Sequence, residues 1–125
     1  MGRWLFLAAL MGALAVVMGA FAAHGLQAVL NERMLAVFET GARYQMVHAL
    51  AMGLAALAAR GRAARLASLA AALFLAGILL FSGSLYMLAF TGVTALGMIT
   101  RLGGLSFIAG WTLLALAALK LAPAE

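Results

Sequence analysis

Few side chains in this 125-residue chain are equipped for chemistry. His24 and His48 are its two histidines. Tyr44 and His48 stand i,i+4 and Gln45 and His48 i,i+3, so on a helix the three share one face. Ser82, Ser84 and Tyr86 form a second polar group, and Ser106 and Trp111 a third. These imidazole, hydroxyl, amide and indole groups can hold a ligand or bond to one another. With no cysteine in the chain, disulfides, thiolate catalysis and zinc–thiolate sites are excluded. His24, Glu39 and His48 could supply a two-histidine, one-carboxylate metal set, a minor alternative because no His-x-x-x-His or Glu-x-x-His pair sits on one helix. Ser82, Ser84 and Ser106 lack a G-x-S-x-G elbow. Phe81-Ser82-Gly83-Ser84 reads as small residues for close packing, with hydroxyls bonding back to the helix. Gly103-Gly104 has neither a Walker lysine nor a preceding strand, so it is no phosphate loop. It reads as a flexible entry into the last helix. The eight methionines are scattered and read as packing residues. No catalytic residue and no cofactor is expected.

The elements that position these groups follow from composition. Hydrophobic residues make up 68% of the chain and charged residues 9%, with a mean hydropathy of +1.18. A soluble domain is about 45–50% apolar and about 25% charged; a disordered chain needs low hydrophobicity. Lipid must therefore be the solvent. A crossing takes roughly 20 helical residues, which leaves room for four spans and short connections. The expected fold is all-α, a single integral membrane domain with spans at about 4–23, 44–64, 66–90 and 105–121. Ala20-Phe21-Ala22 has the look of a signal-peptide cleavage site. The apolar run from Trp4 to Ala23 matches a whole crossing, so a retained span is the expectation. Its Ala8, Gly12, Ala15, Gly19 and Ala23 offer a small-residue face on which another helix can pack closely.

Between the first two spans lies a polar stretch with Gln27, Asn31, Glu32, Arg33, Glu39 and Arg43. Leu30, Met34, Val37, Phe38 and Gly41 recur in it at helical spacing. Asn31 is a suitable N-cap and Glu32 complements the dipole, which predicts a short amphipathic helix at the interface. Eight basic against three acidic residues give +5. The cations sit at span ends rather than in a stripe, so lipid headgroups, not nucleic acid, are the expected partner. Arg3, Arg60, Arg62, Arg65 and Lys120 fall on one side, and Arg33, Arg43 and Arg101 on the other. That bias places both termini in the cytoplasm. His24, Tyr44, Gln45, His48, Ser82, Ser84, Tyr86, Ser106 and Trp111 then lie toward the outer face. In hydrocarbon each needs a hydrogen-bond partner. They are expected to meet, either as an interhelical lock or as a ligand pocket opening outward.

Four blocks carry a family resemblance. They are Gly19-Ala20-Phe21-Ala22-Ala23-His24-Gly25-Leu26, the stretch from Phe38 through Glu39, Tyr44 and His48 to Leu50, Leu80-Phe81-Ser82-Gly83-Ser84-Leu85-Tyr86 with Thr91-Gly92, and the stretch from Ile99 through Gly103, Gly104 and Ser106 to Trp111. Together they span nearly the whole chain. It resembles the YgdD-like family of small bacterial membrane proteins, a family of unknown function with eukaryotic TMEM-type relatives. The family pattern has Gly at the position of Ala22 and Pro at that of Arg101. The resemblance implies a four-helix protein of the bacterial inner membrane and no known reaction.

The reading best supported at this level is a non-enzymatic membrane protein. It would bind a lipid or small molecule, with transport as one use, at an outward polar pocket. One alternative is a structural or assembly partner of another membrane complex. The other is a histidine-dependent enzyme or metal protein. Small-residue faces also suggest a homo-oligomer.

Overall fold

The computed structural model describes residues 2–121. Four helices make up the described chain: α1 (Gly2–Ala23), α2 (Glu32–Ala58), α3 (residues 64–91) and α4 (Leu96–Leu119). The all-helical class expected from composition is what the structure has.

Local chemistry sets the helix ends. Asn31 takes extended geometry, and its Oδ1 accepts the Met34 N–H at 2.8 Å. This is the anticipated N-cap, with Glu32 in the first turn. Gly92 stops α3 at a φ of +69°, in the left-handed region that suits glycine. The α2–α3 turn is made by Gly61 at φ +54°.

Two boundaries depart from expectation. No separate interfacial helix exists among the described residues. Its residues form the first turns of α2, which runs unbroken into the apolar half and ends at Ala58, short of the expected residue 64. The reason is tertiary: Phe38 and Gly41 in this stretch are buried, and Phe38 lies 4.7 Å from the Tyr86 ring of α3. The apolar side of the amphipathic stretch thus has a helix to pack on and stays in line. Helix α4 also begins at Leu96 rather than near 105. Gly103 and Gly104 are not a flexible entry but lie inside it. Three stretches, Gly2–Ala23, Gly61–Thr91 and Leu96–Leu119, are long and apolar enough to cross a membrane. Helix α2 is as long, but its first half holds Glu32, Arg33, Glu39 and Arg43.

Helix α2 is central, packing on α1, α3 and α4. Helix α1 lays Ala8, Ala15 and Ala22, spaced seven apart, against it. Helices α3 and α4 pack phenylalanines on glycines, through the ring at Gly77 and Gly110 and through the backbone at Gly103. Phe107 sits on Gly77, Phe81 on Gly103, and Phe74 on Gly110. A β-carbon at Gly103 would lie 2.8 Å from Phe81 Cα, so the two backbones touch there. Within α3, residues Ile78–Ser82 form a π-helical turn, where the Gly83 N–H donates to the Ile78 carbonyl. This wider turn re-aims the residues after it. Its members Phe81 and Ser82 face α4 and α2 respectively.

Candidate functional site

The expected polar residues do form interhelical bonds, but not one pocket. Two branches leave α2. In the first, the Tyr86 hydroxyl of α3 donates to Gln45 Oε1 at 2.6 Å, and Gln45 Nε2 donates to the Met11 carbonyl of α1 at 2.9 Å. Three helices are joined through one buried amide. In the second, the Trp111 indole N–H of α4 donates to His48 Nε2 at 3.0 Å. His48 Nδ1 lies 2.8 Å from the Tyr44 carbonyl. A carbonyl only accepts, so the proton belongs on Nδ1 and the ring is the neutral tautomer. Both ring nitrogens are thereby used. The ring is also stacked on Phe107 at 3.5 Å between centroids and 6° between planes.

The serines act separately. Ser82 Oγ, fully buried, donates to the Gly41 carbonyl of α2 at 2.7 Å. Ser84 bonds the Phe81 carbonyl and the Thr100 hydroxyl of α4. Ser106 donates to the Leu73 carbonyl of α3 at 2.7 Å. Among the described residues, no buried side-chain nitrogen or oxygen lacks a partner. The pattern is that of a distributed lock. It also reaches deeper than expected: Met11, which receives Gln45, is close to the middle of α1.

Other expected members fall away from this network. His24 is exposed in the link beyond α1. Among the described residues no three His, Asp or Glu side chains gather as a metal set. The alternative of His24, Glu39 and His48 as ligands is therefore corrected: they are spread along the chain's fold, and His48 has both nitrogens engaged.

The cavity nearest the network is aromatic rather than polar. It is a groove of about 550 Å³, within the usual range for ligand sites of about 300–1,000 Å³. Tyr44, His48, Phe81, Phe107 and Trp111 line it, with Gly104, Leu105 and Ile108 along α4 and Arg101. Three of the nine expected residues, Tyr44, His48 and Trp111, belong to it. Tyr44 and Trp111 are each about two-fifths exposed. Tyr44 stacks toward Phe81 at 4.7 Å. Arg101 lies in the second turn of α4 and Trp111 ten residues further on, about 15 Å along the axis. Sequence reasoning missed Arg101, Phe81 and Phe107. The signal was available for Arg101, an arginine set against a run of apolar residues, and absent for the phenylalanines, which read as ordinary packing.

Comparison with known proteins agrees with this picture of a membrane protein. Residues 18–104 match the family described as protein of unknown function, DUF423. The UPF0382 membrane protein YwdK of Bacillus subtilis is 43% identical over 119 residues, covering 94% of this chain and 96% of that protein. A UPF0382 membrane protein of Haemophilus influenzae is 45% identical over 118 residues, covering 94% of each. The UPF0382 inner membrane protein YgdD of Escherichia coli is 40% identical over 119 residues, covering 94% of this chain and 89% of that protein. No solved structure matches the chain. With identities of this size across nearly the full length of each relative, the chain belongs to the DUF423 family of UPF0382 membrane proteins.

Proposed function

We propose that this protein crosses the bacterial inner membrane four times, with both termini in the cytoplasm, and holds one anionic lipid in the groove between α2, α3 and α4. The observation that carries the reading is an open aromatic groove with a cation toward one end. The acyl chain lies along Leu105, Ile108 and Trp111, over the rings of Phe81 and Phe107. The headgroup phosphate meets Arg101, whose long side chain can extend toward the membrane surface. Lipid fits this site better than a polar solute. A polar solute needs several convergent hydrogen-bonding groups. Of those on the groove wall, the His48 and Trp111 nitrogens are bonded to one another, which leaves the Tyr44 hydroxyl and Arg101 for a headgroup. The inner-membrane location is supported by the printed name of YgdD, and the fourth crossing by the 27-residue length of α2.

Lipid retention by the purified chain tests the groove. Native mass spectrometry after titration with phosphatidylglycerol should count one lipid that depends on the groove. Arg101→Gln should weaken it about fivefold, the effect of roughly 1 kcal/mol per basic residue near an anionic surface. Ile108→Trp, which fills the groove from an exposed position, should abolish it. Retention unchanged in both variants would refute the reading.

A further inference from the structure

The opposite end of the molecule carries a second, differently built cavity. It measures about 460 Å³ and is lined by Arg60, Gly61, Arg62, Lys120 and Leu121. Arg60 and Arg62 flank Gly61, which holds the tight turn at φ +54° and where an added β-carbon would meet nothing within 4 Å. Lys120 comes from the end of α4, where its N–H donates to the Ala117 carbonyl at 2.9 Å. Beneath the cations is an apolar floor. Ala63, Ala67 and Ala117 are fully buried and packed with Leu66 and Leu121. Three cations from two separate segments thus surround one hollow beside a packed apolar cluster. Arg65 belongs to the same turn region but does not line it.

We propose that this cup binds the phosphate of an anionic membrane lipid, as a site distinct from the groove. Three positive charges around a hollow call for a compact anion, and a phosphate matches arginine's donor fork. A lipid phosphate and free inorganic phosphate share that chemistry. The apolar floor and the position at the helix ends favour the lipid, whose glycerol and first methylenes can rest on Leu121. This differs from the general excess of basic residues at a membrane face, because geometry as well as charge count sets the affinity.

The test uses the full chain with Ile108→Trp added, so that the groove is filled and the cup is counted separately. Phosphatidylglycerol retention is read by native mass spectrometry, with phosphatidylcholine of the same chain length and inorganic phosphate as comparisons. One phosphatidylglycerol should remain bound. Removing Arg60, Arg62 and Lys120 together, each as Gln, should weaken it on the order of 100-fold at about 1 kcal/mol per charge. All three are exposed, so the variant should keep its circular dichroism and lipid-free stability; should it not, Arg62→Gln alone serves, with an expected loss of about fivefold. Arg65→Gln removes the same charge a few residues away and should change retention less than about twofold. An equal loss from Arg65→Gln and Arg62→Gln would overturn the cup in favour of diffuse charge. Equal retention of phosphatidylcholine, or full displacement by inorganic phosphate at matched concentration, would overturn the anionic-lipid assignment.

Discussion

Substituting Gly103 by alanine probes the point where, among the described glycines, an added Cβ would come closest to the backbone of another helix. The added Cβ would lie 2.8 Å from both Phe81 Cα and Phe81 Cβ, and closer still to the Phe81 backbone nitrogen. A backbone atom inside a helix cannot rotate aside, so α4 must move away from α3. Gly83 is the reference: it is also helical, and a Cβ there meets nothing within 4 Å. Both substitutions gain the same helix propensity, about 0.8–1.0 kcal/mol. Overpacking a tight contact costs about 1–3 kcal/mol. Gly83→Ala should therefore be stabilising by up to about 1 kcal/mol, and Gly103→Ala should fall about 1–3 kcal/mol below it. Gly110→Ala should lie between them, because its obstacle at 2.8 Å is the Phe74 ring, which can turn. Unfolding in mixed micelles of mild detergent and dodecyl sulfate, followed by helical circular dichroism, measures all three. Equal stability of Gly103→Ala and Gly83→Ala would refute the backbone contact.

Tyr86→Phe deletes the donor to Gln45 Oε1 and should cost about 0.6 kcal/mol, at most about 1.7. With Gln45→Leu as the second change, a double-mutant cycle in the same assay should show coupling, and strict additivity would argue against the bond. Trp111→Phe keeps a ring in place but takes the N–H from His48 Nε2, so it should destabilise by about 1 kcal/mol; a variant as stable as the parent would count against that bond. For topology, cysteine reporters belong at exposed positions, and Ala63, although it lies in the α2–α3 turn, is fully buried. Arg62→Cys should label from the cytoplasm and Thr94→Cys from outside, and the reverse pattern would invert the orientation.

How far the fold could be read from sequence depended on whether an element's signal was local. The Asn31 cap and the Gly92 stop were legible because each is decided by its own backbone and nearest neighbours. The continuity of α2 was not. Glu32, Arg33, Glu39 and Arg43 interrupt the apolar pattern, and it is tertiary packing, with Phe38 buried among Ala22, Leu26, Ala89 and Tyr86, that keeps that stretch in line with the rest. The start of α4 was hidden for a related reason. Gly97, Gly103 and Gly104 look like a loop by propensity, yet glycine is common in membrane helices where neighbours approach closely. Gly103 is buried because Phe81 occupies the space a side chain would take.

The polar face of α2 was legible in part. Spacing alone joins Tyr44, Gln45 and His48, but their partners depend on how α3 and α4 are rotated. That rotation follows from the π turn and the glycine contacts, which no periodicity announces. Once the partners are known, the choice of ligand narrows by elimination of bonding capacity. Gln45 uses its amide in both directions, His48 uses both nitrogens, and Ser82 and Ser106 are tied to backbone carbonyls. A ligand that recruited any of these four side chains would break bonds that hold helices together, leaving buried groups unpaired at about 1–3 kcal/mol each. Only the Tyr44 hydroxyl and Arg101 on the groove wall are therefore left to meet a polar headgroup. An acyl chain against Phe81, Phe107 and Trp111 asks for none of those groups. The same network that locks the helices therefore keeps the groove apolar, and Arg101 is the one charged side chain lining it.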